Sequence, residues 1–291
     1  MAENKLTWQS KLVLLAVLPF AGTEVVLDCN WWASQAAPVA IWTLGLSALL
    51  GLVTWRLRAA TPAAALAGAL ITASLMFSTV VVPYEPWHSA LVPTLAVSLL
   101  AFAATLAGRR QKERLGTGEG RRGRSVAQVT ANLGLAALVV SNPVQSWLMD
   151  SHWVPHHAAM PTMLFALAVA ALAEAAADTV SSEIGQVLGG RPRMITSLKA
   201  VDPGRDGAIS VAGTLAGLSA AAIVAYAGMW ALGGGWILFT VSSAGAVFGL
   251  FFDSLLGATL EERGLLNNDA VNFLSTASAA GFALAMLCAM H

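Results

Sequence analysis

The stretch 158–183, AAMPTMLFALAVAALAEAAADTVSSE, decides how the chain has to be read. It is apolar over the roughly 20 residues that a helix needs to cross a hydrocarbon core. Yet it carries Glu174, Asp178 and Glu183 toward its end. Ionisable groups inside a membrane are costly and are kept where they face protein or water, so this segment reads as a spanning helix that ends in a polar site.

Working outward, further apolar runs lie near 12–32, 36–57, 61–83, 88–108, 126–149, 209–232, 236–257 and 270–290, which with 158–180 make nine candidate spans. A hydrophobic content of 57% and a mean hydropathy of +0.68 agree with this. The expected fold is all-α: a polytopic integral membrane protein of about nine transmembrane helices. Lys5 and Lys11 ahead of the first run would also suit a signal peptide. The run is too long for one and lacks a small-residue cleavage site, so it is read as an uncleaved helix.

All 16 Lys and Arg residues then fall on one side. They lie ahead of the first span (Lys5, Lys11), in the second loop (Arg56, Arg58) and in the fourth (Arg109, Arg110, Lys112, Arg114, Arg121, Arg122, Arg124). The rest lie in the sixth (Arg191, Arg193, Lys199, Arg205) and the eighth (Arg263). The odd-numbered loops carry none, and the positive-inside rule therefore expects a cytoplasmic N-terminus and an external His291. Trp31, Trp32, Trp87, Trp147, Trp153, Trp230 and Trp236 fall at the opposite ends, as an interfacial aromatic belt would. The expected location is a bacterial inner membrane with the site on the cytoplasmic face. A formal net charge of zero gives no signal for nucleic acid, and the basic loop 109–124 is read as a topology determinant that also attracts anionic lipid. That loop divides one membrane domain into a four-helix scaffold region, 1–108, and a five-helix catalytic region, 109–291.

Four spans contribute polar groups on the basic side. Arg124, Gln128 and Asn132 stand four apart and form one stripe, a cradle for an anion or phosphate; interhelical hydrogen bonding is an equal reading for Asn132 alone. Glu174 and Asp178 are one turn apart, and two carboxylates on one face suit a hard divalent cation, since without one they would repel. Glu183 would lie about 140° around the helix from Asp178, so convergence of the two requires a bend near Ser181 and Ser182, which Gly185, Gly189 and Gly190 would permit. The segment 189–199 offers Arg191, Arg193, Ser197 and Lys199 as phosphate partners, or is an ordinary basic loop. Asp253, Gly257 and Glu261 share a helical face through steps of four. Asn267 reads as an N-cap, whereas Asn268 and Asn272 add a second polar turn beside Asp269.

Elsewhere the polar residues support bland readings. Glu24 and Asp28 pair with a neighbouring helix, line a wet cavity or mark where their helix leaves the bilayer; the last two readings together are favoured over catalysis. Cys29 and Cys288 are read as packing residues in preference to a disulfide. His152, His156 and His157 have a spacing that could hold zinc, but Pro155 opposes a helix there and interfacial packing is favoured.

The segments 122–132 (RGRSVAQVTAN), 178–185 (DTVSSEIG), 253–258 (DSLLGA) and 267–273 (NNDAVNF) resemble the phytyl-phosphate and polyprenyl-phosphate kinase family that includes the transmembrane protein 19 group. The resemblance covers most of residues 110–285. It departs from the family pattern at Val180 and Ser181, where a Trp and an Ala are common, and at Glu261, where a Gln is frequent. It implies an all-helical membrane phosphotransferase, distantly similar to dolichol kinase and phosphatidate cytidylyltransferase, that converts a prenyl monophosphate of phytyl or geranylgeranyl type to the diphosphate with CTP or another nucleotide and Mg²⁺. Under it, Asp178, Glu183, Asp253 and Asp269 are expected metal ligands, and Glu174 joins Asp178, Glu183 and Asp253 as a catalytic candidate. Arg191, Arg193, Ser197 and Lys199 would hold the nucleotide and Arg124, Gln128, Asn132 and Asn272 the acceptor phosphate, or the two groups exchange roles, with Asn268 a further substrate-binding candidate. The expected partners are thus a prenyl phosphate, a nucleotide and the lipid bilayer. A prenyl alcohol kinase, a CTP-dependent lipid cytidylyltransferase and a cation-coupled transporter are the alternatives.

Overall fold

The computed structural model describes residues 7–115, 123–150 and 160–290. Lys5, Arg121, Arg122, Trp153, His291 and the three outer histidines His152, His156 and His157 lie outside the described residues. In chain order the helices are α1 (Trp8–Gln35), α2 (Ala37–Arg56), α3 (Pro62–Ser78), α4 (Leu91–Leu106), the short α5 (Arg109–Leu115), α6 (Val126–Val140) and the short α7 (Asn142–Asp150). They continue as α8 (Met160–Leu188), α9 (Val211–Leu232), α10 (Gly235–Leu256), which runs into a π-helical turn at Gly257–Glu261, and α11 (Asn268–Ala289). Between α8 and α9 a small antiparallel hairpin pairs β1 (Arg193–Met194) with β2 (Ala208–Ile209). Among the described residues six helices are long and apolar enough to cross a membrane, and α3, α4 and α6 are shorter apolar helices. The protein is an all-α integral membrane protein.

Five helices start on polar caps at one face. Thr7, Thr61, Ser125, Ser210 and Asn267 each accept a backbone N–H of the first turn of α1, α3, α6, α9 and α11. Such side chains satisfy donors that a helix cannot satisfy internally. The basic connections gather there too: Thr61 donates its N–H to the Arg124 carbonyl at 3.0 Å, and Gln9 Nε2 donates to the Leu265 carbonyl at 2.7 Å.

Helix α8 is the axle. Its spanning segment is 94% buried, and α4, α6, α9, α10 and α11 surround it. A bilayer gives helices no hydrophobic reason to associate, so close approach of small residues does the work. A Cβ on Gly213 would stand 2.6 Å from the Ser181 carbonyl oxygen, and one on Gly217 2.8 Å from that of Ala177. These glycines let α9 lie directly against α8.

Two expectations fail for local reasons. The span at 126–149 is not one helix: α6 ends at Val140, Ser141 is extended (ψ 148°), and α7 restarts at Asn142. Pro143 has no N–H to give and its ring would meet the carbonyl four residues back, so the first helix cannot run through it. Helix α8, in contrast, is not broken at Ser181 and Ser182 but continues to Leu188. Gly185 serves packing: a Cβ there would stand 3.1 Å from Ser210 Oγ at the start of α9.

On the opposite face Glu24 is buried and accepts from the Asn142 backbone N–H at 3.2 Å and Nδ2 at 3.0 Å, while Asp28 accepts from Nδ2 at 3.3 Å. Of the readings open for these acids, the contacts fit pairing with a neighbouring element. Cys29 packs against the small cluster of Val39, Ala40 and Phe77, Cys288 is exposed, and neither is in a disulfide. Trp31, Trp87, Trp147, Trp230 and Trp236 are exposed, and the His88 ring stacks on Trp230 with centroids 5.2 Å apart.

Candidate functional site

The polar ends of α6, α8, α10 and α11 enclose a pocket of about 290 Å³ at the basic face. Each wall is placed by a local device. On α6, Ser125 closes a capping box with Gln128, whose Oε1 accepts the Ser125 N–H at 2.8 Å. Arg124 is therefore not on the helix. It belongs to an extended segment paired with residues 59–61, entered through Gly123, whose φ of +76° and contact with the Arg58 carbonyl leave no room for a Cβ. The guanidinium of Arg124 reaches Thr179 Oγ1 at 3.5 Å and acts electrostatically on Asp178.

Across the pocket Asp178 of α8 and Asp253 of α10 lie close enough for their carboxyls to act on each other electrostatically. Glu174 lies one turn deeper, 1% exposed, beside Asp178. It fits because position 249 is glycine: a Cβ there would be 2.5 Å from Glu174 Cγ. The π-helical turn that follows Asp253 widens the helix and carries Glu261 into the lining, and Gly207 of the loop docks onto Gly257 of that turn. Such turns are rare and often mark functional positions. On α11, Asn272 Nδ2 donates to Asn132 Oδ1 at 2.9 Å, so the amide expected as interhelical glue is also part of the pocket wall.

Of the residues singled out from sequence, Arg124, Gln128, Asn132, Asp178, Glu183, Asp253, Asn268 and Asn272 all line this pocket. Others are placed elsewhere. Asp269 accepts from Ser10 Oγ at 2.6 Å and ties α11 to the start of α1. Arg191, Arg193, Ser197 and Lys199 are exposed on the hairpin loop, where Arg193 Nη1 donates to the Leu198 carbonyl at 2.8 Å. The hairpin contributes Pro192 and residues 203–208 to the lining instead. Within that stretch Arg205 pairs with Glu262. Partial burial, reinforced by the charge of Glu262, pushes the Asp206 carboxyl above its usual range.

Glu183 has a fixed partner that a reading of the basic loop as a topology signal did not anticipate. Lys112, 2% exposed, donates to Glu183 Oε2 at 2.5 Å and to the carbonyls of Ala104 and Thr105 at 2.9 and 3.1 Å. Thr105 Oγ1 donates to Glu183 Oε1 at 3.1 Å. A lysine within a run of arginines carries no sequence signal for burial. It is the reversal of the chain at Gly108 (φ +62°) that turns α5 back toward α8.

The acidic wall suits a hard cation in part. Among the described residues Asp253 Oδ2 and Glu174 Oε1 are buried without a hydrogen-bond partner, and both are oxygen donors. No group of three acidic, His or Cys side chains converges as a complete coordination set among those residues. Mg²⁺ usually keeps water and phosphate ligands and takes only one or two carboxylates from the protein, which is what Asp178 and Asp253 provide.

The profile of the family described as "Integral membrane protein DUF92" matches residues 45–280. The chain is 31% identical over 209 residues to the uncharacterized membrane protein sll0875 of Synechocystis, across 68% of this chain and 73% of that protein. It is 40% identical over 108 residues to the uncharacterized membrane protein MJ0933 of Methanocaldococcus jannaschii, across 37% and 45%. With protein VTE6, chloroplastic, of Arabidopsis thaliana it shares 31% identity over 190 residues, across 62% and 53%. The similarity thus spans about half the length of two of these relatives. No solved structure matches the chain. With the family profile covering most of the chain, from α2 through most of α11, the protein belongs to the DUF92 family of integral membrane proteins, in keeping with its resemblance to the prenyl-phosphate kinase group.

Proposed function

We propose that the protein transfers a nucleotide γ-phosphoryl group to a prenyl monophosphate at the membrane face that carries its basic residues. The observation that supports this most is the Asp178–Asp253 pair set against Arg124 and the Asn132–Asn272 amides in one pocket. Two phosphorylated reactants repel each other, and overcoming that repulsion in a preorganised site is the main catalytic task.

Asp178 and Asp253 would hold Mg²⁺, with Glu174 and Glu261 behind and beside them. The ion supplies neutralisation of the donor phosphate oxygens when bound. Arg124 and the amides of Asn132 and Asn272 orient the acceptor phosphate. One of its oxygens attacks the γ-phosphorus as the bond from that phosphorus to the β–γ bridging oxygen breaks, and the nucleoside diphosphate leaves. The attacking oxygen is already anionic, so no proton needs to be removed. Arg191, Arg193 and Lys199 on the exposed hairpin loop would raise the local concentration of the polyanionic nucleotide without lining the pocket, and Ser197 beside them would offer a hydroxyl donor. CTP as donor and the cytoplasm as the nucleotide side belong to the same proposal.

The test uses the purified, detergent-solubilised protein with MgCl₂, γ-labelled CTP or ATP and geranylgeranyl or phytyl monophosphate. Label should appear in a prenyl diphosphate and vanish with Asp178→Asn and with Asp253→Asn. Label on a free prenyl alcohol would replace this reading by an alcohol kinase, and incorporation of α-labelled CTP by a cytidylyltransferase. No turnover, together with ion-dependent solute flux in nucleotide-free proteoliposomes, would favour a transporter.

A further inference from the structure

A second cavity, about 510 Å³, lies between α2, α3, α4 and α6. Its size is within the range of small-molecule sites. Its walls are built largely from small and aliphatic side chains, among them Ala65, Ala69, Ala101, Phe102 and Leu133. At Gly51 a Cβ would stand 2.9 Å from the Ala65 carbonyl oxygen, so α2 and α3 lie in close contact along one edge of this space. The cavity adjoins the polar pocket, since Arg124, Asn132 and Glu183 line both. Arg58, Arg109 and Lys112 complete its basic rim.

From this continuity of an apolar chamber with a cationic junction and then an acidic centre, we propose that α2, α3, α4 and α6 form the binding site for the hydrocarbon tail of the lipid monophosphate acceptor. The phosphate sits at Arg124 and Asn132 and the tail runs into the chamber, so the depth of the chamber selects tail length. The charge order supports a tail with one anionic head group. The two carbonyls and Glu183 hold the Lys112 ammonium, so the wall beside the junction is fixed before any ligand arrives. On this account α2, α3 and α4 of the N-terminal region belong with α6 to the selective wall and are not plain scaffold. The proposal rests on the acceptor being a lipid phosphate and does not require that the donor step be phosphoryl transfer.

Two measurements separate it from the proposed reaction. The first is binding of geranylgeranyl monophosphate to the full-length protein in nucleotide-free detergent buffer, in competition with geranyl monophosphate and with a phosphatidylglycerol of ordinary acyl length. The second repeats this, and the transfer assay, with Ala69→Phe and Ala101→Phe, which fill the chamber from α3 and α4. A mismatch of even one methylene in an apolar pocket changes selectivity roughly 10- to 200-fold. Either variant should therefore lose about tenfold or more in affinity for the long tail while retaining the short one. Retained geranyl monophosphate binding also reports an intact fold. Transfer without any change in length preference would overturn the chamber and leave the reaction standing. A length-dependent loss of binding without transfer in any variant would do the reverse. Phosphatidylglycerol displacing the prenyl ligand at equal concentration would assign the chamber to bulk lipid and overturn the proposal.

Discussion

The polar pocket and the apolar chamber share a wall yet are built on opposite principles. The pocket is assembled from helix ends, caps, a π-helical turn and a hairpin loop, all of which expose polar groups and fix their direction. The chamber is assembled from the apolar faces of α2, α3, α4 and α6 next to those ends, where alanine and glycine leave space between the helices. The difference teaches that a membrane protein can obtain chemistry from the places where helices stop and selectivity from the places where they fail to fill the gap between them.

The partition between the two regions is the place to break this comparison with the largest effect. Lys112→Ala would leave the buried Glu183 without its cation, which in a protein interior costs about 3–5 kcal/mol. A large fall in thermal stability in detergent is expected, with most of it restored in Lys112→Met combined with Glu183→Gln. Equal melting of Lys112→Ala and wild type would mean that water reaches the pair and that the two cavities are not separated there.

The acidic centre comes next. Asp253→Asn should lower the transfer rate by roughly 10²–10³-fold, the usual cost of losing one electrostatic contact to the transition state. The loss should be the same for long and short tails, whereas a chamber variant should discriminate between them. A length-dependent loss with Asp253→Asn would merge the two regions into one. Packing sharpens the comparison at a smaller scale. Gly217→Ala, pressing on the Ala177 carbonyl, should cost about 1–3 kcal/mol in stability. Gly281→Ala, with nothing within 4 Å of the added methyl group, should be neutral or gain up to about 1 kcal/mol from helix propensity. The smallest effect is expected at the rim: Arg193→Ala should change stability by less than about 0.5 kcal/mol and raise KM for nucleotide more than it lowers kcat.

Much of the pocket was legible because steps of three and four along a helix report a shared face. Asp178, Asp253, Asn132 and Asn272 were each marked by a polar group at one depth of an otherwise apolar run. Asn267 was readable as a cap for the same kind of local reason, and its side chain does accept the Ala270 N–H at 2.9 Å. The hairpin was less legible. Its cations looked like phosphate ligands because charge and sequence proximity say nothing of direction, and in the fold Pro192 and residues 203–208 face the pocket while Arg191, Arg193 and Lys199 face outward. Glu183 was grouped with the acids and does line the pocket, but its carboxylate is held by Lys112, a partner that the sequence did not mark.

By itself, then, the sequence determined an all-helical membrane protein, the segregation of its cations to one set of connections, and the residues of α6, α8, α10 and α11 that form the acidic and amide walls. These follow from hydropathy, charge and helical period, which are properties of single segments. Tertiary structure alone decided the pairing of Lys112 with Glu183, the placement of Asp269 against α1, the docking of the hairpin through Gly207 and the chamber between α2, α3, α4 and α6. Each of these depends on which helices touch and how closely. In a bilayer that is settled by the fit of small residues and by specific polar contacts between distant parts of the chain, not by the apolar pattern that every spanning helix shares.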